Sequence, residues 1–185
     1  MRIVGGRLRG RKLAEVGEGD ATAHLRPTTD RVREALFNLL TNGRSGDLVT
    51  GRRVLDLFAG TGALGLEALS RGAIHATFVD NGTAARALLR ENIALCSVQG
   101  ITSVFRTDMA RIGPAKAACD LVFLDPPYGR NLGEAALQTA LHTGWIAPGA
   151  TVVWEEAAPP LVPAPFETLD QRKYGHTTIT LLRHP

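Results

Sequence analysis

Apolar and polar positions recur along this chain with two different periods, and the switches between them mark its elements. Short apolar runs predict buried strands at Val54–Phe58, Ala76–Asp80, Thr102–Arg106, Leu121–Leu124 and Ala150–Trp154. Between them the spacing widens to that of helices, over Ala63–Arg71 (closed by Gly72), Thr83–Cys96 and Glu134–Thr143. In Thr83–Cys96 the apolar positions Ala84, Leu88 and Leu95 share one side. Strand and helix alternating in this way predict an α/β fold, a mostly parallel, doubly wound sheet with helices on both faces.

The two ends depart from that alternation. Residues 1–24 set Ile3, Val4, Leu8 and Leu13 among Gly5, Gly6 and Gly10, which predicts a short β-hairpin or extended arm. The arm is too short to bury a core of its own, and Gly17, Gly19 and Asp20 mark a loop after it. The domain proper is expected over residues 25–185. Its entrance is Arg26-Pro27-Thr28-Thr29-Asp30, with three capping residue types in a row. Val32, Ala35, Leu36, Leu39 and Leu40 then follow on one face of a helix. At the far end, prolines at 159, 160, 163 and 165 make a loop. Phe166–Arg172 and Thr177–Leu182 then read as two antiparallel strands joined by Lys173-Tyr174-Gly175-His176.

Composition narrows the setting. With 185 residues and 44% apolar content the chain suits one domain. No apolar run approaches the ~20 residues of a membrane span, and no apolar segment follows the basic start as in a secretory signal. A cytoplasmic protein is expected. Cys96 and Cys119 sit beside apolar residues and read as buried free thiols. The five histidines lack ligand spacing, so no metal site is expected. The net charge is only +3, yet Arg2, Arg7, Arg9, Arg11 and Lys12 crowd the first twelve residues without an acid. That imbalance points to a polyanionic partner, against the plainer reading of a solvated terminus. Arg26, Arg31 and Arg33 lie near a helix start, where cations oppose the helix dipole. They read either as contacts to phosphate or a ligand carboxylate, or as partners of Asp30 or Glu34.

The candidate chemistry lies at the strand ends. Asp56-Leu57-Phe58-Ala59-Gly60-Thr61-Gly62-Ala63-Leu64-Gly65 places G-x-G-x-x-G between a strand and a helix, where backbone turns tightly and approaches a ligand. Asp56 would repel a pyrophosphate there and would attract the ammonium and sulfonium of S-adenosylmethionine. Asp80 ends the next strand, where an acid accepts ribose hydroxyls, and Asp108 ends the third, beside the place of an adenine amino group. Asp125-Pro126-Pro127-Tyr128 ends a fourth. A double proline cannot continue a central strand, because proline has no backbone donor for the ladder. The strand therefore stops at a carboxylate, a rigid carbonyl and an aromatic ring.

These residues resemble the class I S-adenosylmethionine-dependent methyltransferases that modify exocyclic amino groups of bases. More narrowly, the chain is similar to the bacterial 16S rRNA guanine-N2 methyltransferases of the RsmD type. That likeness rests on Arg2-Ile3-Val4-Gly5-Gly6 with Gly10-Arg11-Lys12-Leu13, on the run from Arg26-Pro27-Thr28-Thr29-Asp30-Arg31 to Asn38, and on Gly62–Gly72. The resemblance implies a Rossmann-like sheet of seven strands with an antiparallel C-terminal hairpin. It implies a cofactor site at Asp56, Phe58, Ala59, Gly60, Thr61, Gly62, Asp80, Asn81, Asp108, Met109 and Thr28, with no metal. It assigns catalysis to Asp125, Pro126, Pro127 and Tyr128, and RNA contacts to Arg2, Arg7, Arg9, Arg11, Lys12, Arg26 and Arg31. The implied substrate is one guanine of 16S rRNA in 30S particles or late assembly intermediates, modified by a monomer.

The implied mechanism follows from the target's chemistry. An exocyclic amino nitrogen is a poor nucleophile, because its lone pair is delocalised into the ring. Acceptors at Asp125 and the Pro126 carbonyl would help it become tetrahedral, and Tyr128 would stack on the extruded base. Asp125 acts either as a base or only as an acceptor. Three other readings compete. A DNA adenine-N6 methyltransferase shares Asp-Pro-Pro-Tyr, but this chain leaves no room for a target-reading region. A nicotinamide oxidoreductase is opposed by Asp56, and an inactive binding module by the intact acids.

Overall fold

The computed structural model of the protein describes residues 1–15, 29–108, 111–127 and 132–185. Its strands are β1 (Arg53–Leu57), β2 (His75–Val79), β3 (Thr102–Phe105), β4 (Cys119–Leu124), β5 (Ile146–Glu156), β6 (Glu167–Tyr174) and β7 (Thr177–Arg183). They form one sheet in the order β3-β2-β1-β4-β5-β7-β6. Pairing is parallel from β3 through β5, and β7 alone runs against its neighbours β5 and β6. The fold is thus a Rossmann-like class I methyltransferase sheet, and the C-terminal pair is the antiparallel hairpin expected from Phe166 onward. The parallel strands are apolar on both faces, so both must be covered.

The helices α1 (Asp30–Asn42), α2 (Ala63–Ser70), α3 (Thr83–Leu95) and α4 (Leu132–His142) supply the cover. One core layer packs Leu36, Phe37 and Leu40 of α1, Leu66 and Leu69 of α2, and Leu89 and Ile93 of α3 on Phe78 and Phe123. The opposite layer packs Ala136, Leu137 and Ala140 of α4 on Leu55, Val122, Leu124 and Trp154. Each large apolar side chain so buried contributes about 1.5–3 kcal/mol. Cys96 and Cys119 are buried free thiols. No helix among the described residues is long and apolar enough to cross a membrane.

Two helix faces differ from the expected ones. On α1, Val32, Ala35 and Leu39 are only half-buried, and the innermost residues are Arg33, Leu36, Phe37 and Leu40. Arg33 is drawn in because Asp30 (2.8 Å) and the fully buried Glu67 of α2 (3.7 Å) neutralise it. On α3, Ala84 and Leu95 face outward, and Ala85, Arg86, Leu89, Asn92 and Ile93 face inward. There Asn92 has hydrogen-bond partners inside, which repay burial of its amide. Thr29 caps α1, its side chain accepting from the Val32 amide at 3.3 Å.

The first residues fold back on themselves. Ile3 donates to the Arg11 carbonyl (2.9 Å), Gly10 to Ile3 (2.8 Å) and Leu13 to Met1 (3.2 Å), around an antiparallel bridge of Arg2 with Lys12. Ile3 and Leu13 are buried in the α1–α3 layer. This pairing therefore completes the core of the sheet rather than projecting from it.

Candidate active site

The loop after β1 is shaped by backbone conformation. Phe58 has φ 61°, a left-handed value that a bulky side chain adopts at a cost of about 1–3 kcal/mol. Gly60 (φ 55°) and Gly62 (φ 78°) continue the left-handed turn without such a penalty, and Gly62 is the N-cap of α2. The Gly62 amide donates to the Ala59 carbonyl at 2.7 Å, closing the turn. Asp56 lies beneath this loop, nearly inaccessible, and its Oδ2 accepts the Gly65 amide of the first turn of α2 at 2.9 Å. Burial pushes its carboxyl up to about 8, against the pull of the Gly65 bond and with help from the nearby charge of Asp80.

Asp80 organises the next strand end. Its Oδ2 accepts the Gly60 amide at 2.8 Å and its Oδ1 the Gly82 amide at 2.7 Å. One carboxylate thus joins the glycine loop to the start of α3, and each oxygen keeps a lone pair for a further donor. Phe58, Asp80, Asn81 and Asp108 form one wall of a cleft open to solvent. Leu132, Ala135 and Ala136 of α4 form the other. Acids on one side and short apolar side chains on the other suit a ligand with hydroxyls and a flat apolar part.

β4 ends next to β1 and β5, with Leu124 opposite both Leu57 and Trp154. Asp125 follows, half-buried, its amide 3.5 Å from the Leu57 carbonyl. Burial holds the Asp125 carboxyl well above the usual carboxylate range, and the negative charges of Glu155, Asp56 and Glu156 raise it further. Pro126 is buried and Pro127 half-buried. Carboxylates therefore collect at the carboxyl ends of β1, β2, β4 and β5, the edge where ligands bind in such sheets.

Of the residues singled out in the sequence, Phe58, Asp80, Asn81 and Asp108 meet in the cleft wall. Ala59, Gly60, Thr61 and Gly62 form the loop beside it, and Asp56 supports that loop from below. Arg2, Arg7, Arg9, Arg11, Lys12 and Arg31 are exposed, with Arg2 3.5 Å from Asp30. Thr28, Arg26, Met109 and Tyr128 lie outside the described residues. The sequence reading missed the α4 wall, because which helix faces the ends of β1 and β2 is known only with the strand order. It also missed Glu155, whose charge bears on Asp125 from the next strand, a neighbourhood visible only once strand order is known.

Comparison with known proteins gives one family over nearly the whole chain. The family model described as conserved hypothetical protein 95 matches residues 1–183. Ribosomal RNA small subunit methyltransferase D of Escherichia coli strain K12 is 36% identical over 184 residues, covering 98% of this chain and 88% of its own. The protein of the same name from Haemophilus influenzae is 33% identical over 191 residues, covering 100% of this chain and 94% of its own. A solved Escherichia coli structure, provisionally described as the methyltransferase yhhF, superposes with a TM-score of 0.84 at 37% identity, covering 100% of this chain and 97% of the other.

Proposed function

The chain belongs to the conserved hypothetical protein 95 family and to its RsmD-type methyltransferases, and we propose that it methylates the N2 amino group of one guanine in 16S rRNA, on 30S particles or late intermediates. The observation that carries the chemistry is Asp80, which holds the left-handed glycine loop at Gly60 and lines the cleft with Asn81 and Asp108. Acids at successive strand ends suit a cofactor with ribose hydroxyls, and a pyrophosphate beside them does not. The choice of rRNA rests on the relatives named as small-subunit rRNA methyltransferases.

S-adenosylmethionine, when bound, supplies an electrophilic methyl group on sulfur. The groups that would hold it are Asp80, Asn81 and Asp108 of the cleft wall, Leu132 and Ala135 opposite, and the backbone of Gly60–Gly62. Thr28 and Met109 complete the proposed set. Asp125 and the Pro126 carbonyl accept the two amino hydrogens of the target base, which localises the nitrogen lone pair as it becomes tetrahedral. Tyr128 stacks on that base. Most of the acceleration comes from holding the nitrogen in line with the methyl group, and once the nitrogen is cationic its proton passes to water or to Asp125. Residues 1–24, with Arg26 and Arg31, grip rRNA phosphates without reading sequence.

The test is methyl transfer from labelled S-adenosylmethionine to 30S particles, naked 16S rRNA and duplex DNA, followed by nucleoside analysis. Label in N2-methylguanosine from the 30S arm is the expected result. Label in N6-methyladenine from the DNA arm would replace this reading with the DNA alternative.

A further inference from the structure

Asn92 is fully buried in the last turn of α3, where an apolar residue would pack without a polar group to satisfy. Its carboxamide is engaged on two sides. Oδ1 accepts the Ala14 amide at 2.7 Å, and Nδ2 donates to the Ala14 carbonyl and to the Thr61 carbonyl, both at 3.0 Å. A reversed amide would set its NH₂ against the Ala14 N–H and its oxygen against two carbonyls, so the network fixes the orientation. One side chain therefore clamps the N-terminal segment and the glycine loop together.

The bond to Thr61 acts on a sensitive peptide unit. The carbonyl of Thr61 and the amide of Gly62 belong to the same peptide plane. Asn92 holds its oxygen, and the Ala59 carbonyl holds its N–H at 2.7 Å. A flip of this unit turns ψ of Thr61 and φ of Gly62, and on the Gly62 side, already left-handed at φ 78°, little steric resistance opposes it. Two hydrogen bonds, one at each end, oppose it instead. Arg2 is tied to Asp30 and Arg33 of α1, and two residues of α2 hold the rest of the segment, Glu67 (from Val4, 2.8 Å) and Ser70 (from Leu8, 2.9 Å; to Gly5, 2.6 Å). None of those residues bonds the loop in these ties, whereas Asn92 does.

We propose that Asn92 is a positioning residue through which the N-terminal segment sets the geometry of the cofactor loop, so that this segment belongs to the cofactor site as well as to the RNA-binding surface. The assignment of a cofactor to that loop rests on the methyltransferase reading above. Asn92 touches no reacting atom. It acts through the Thr61–Gly62 peptide.

The experiment compares Asn92→Ala with Ser70→Ala, which loosens the same segment without reaching the loop. Titration calorimetry with S-adenosylhomocysteine and amide hydrogen exchange at Gly60 and Gly62 are the readouts. Asn92→Ala is expected to weaken binding about tenfold, the effect of losing a buried hydrogen bond of ordinary strength, and to speed exchange at Gly62. Ser70→Ala is expected to stay within about twofold of wild type on both, the range of a change that does not reach the loop. Should Asn92→Ala fold too poorly to purify, Asn92→Asp keeps the size and the acceptor for Ala14 but loses both donated bonds, and carries the same expectation. Unchanged exchange and affinity in the Asn92 variants, or equal losses in Ser70→Ala, would overturn the proposal. If the wild-type protein takes up no S-adenosylhomocysteine, the methyltransferase reading fails, and the exchange comparison still decides whether Asn92 fixes the loop.

Discussion

Asp125 carries the heaviest chemical assignment, and its environment makes that assignment testable in two ways. Asp125→Ala removes an acceptor for the amino group but leaves the glycine loop and Asp80 in place. It should retain S-adenosylhomocysteine binding by calorimetry and lose most methyl transfer; near-normal turnover would remove Asp125 from the mechanism. Because burial and Glu155 hold its carboxyl high, the acid limb of the wild-type rate profile should lie above the ordinary carboxylate range. Asp56 has a different signature. Its folded-state value is raised from 3.8 to about 8, so between those limits the native state keeps a proton that the unfolded chain releases. Its contribution to stability is fully present below 3.8 and is lost as pH rises through about 8. The melting temperature should therefore fall from pH 5 to pH 8.5. Asp56→Asn, a neutral isostere that can still accept from Gly65, should flatten that slope, leaving the share that Asp125 adds in the same direction. An unchanged slope in Asp56→Asn would remove the buried Asp56 carboxyl as its source.

At the scale of elements, the contact of α2 with the sheet decides whether the loop can form. A Cβ on Gly65 would stand 2.4 Å from the Phe78 ring and 3.1 Å from Asp56 Oδ2. Gly65→Ala must push α2 off β2 or twist the Phe78 ring, at about 1–3 kcal/mol. Urea unfolding should show that loss, while Gly100→Ala, with nothing within 4 Å, should stay within about 0.5 kcal/mol of wild type. Equal effects at the two positions would remove the packing argument. Gly65 also illustrates what was legible in the sequence. Strand and helix order was readable, because period and flanking glycines report local geometry. The orientation of α1 and α3 was not, because Arg33 and Asn92 look like surface residues until Glu67, Ala14 and Thr61 are known to face them. The acids at the strand ends were readable from their spacing. The α4 wall of the cleft was not, since which helix closes over β1 and β2 depends on the crossover to β4.

For the whole molecule, the question is how a near-neutral protein holds a polyanion. The exposed cations of the first residues are carried on a backbone whose Ile3 and Leu13 are core residues. Deleting that segment would open the core, expose Glu67 and free Asn92, so a loss of RNA binding after truncation would say nothing about charge. Neutralising Arg7, Arg9, Arg11 and Lys12 together to Gln is the cleaner change, because all four are exposed and none of their charges is paired among the described residues. The backbone bonds to Glu67, Ser70 and Asn92 remain, so cofactor affinity and unfolding free energy should hold. If each cation neutralises one phosphate, rRNA affinity should fall at every salt concentration. The slope of log K against log salt should then shrink by about three, at about 0.7 per single-strand phosphate contact. Filter binding of 16S rRNA across a salt series measures both. An unchanged slope with the four charges gone would mean that the polyanion is held elsewhere, and the basic segment would be left with its structural role alone.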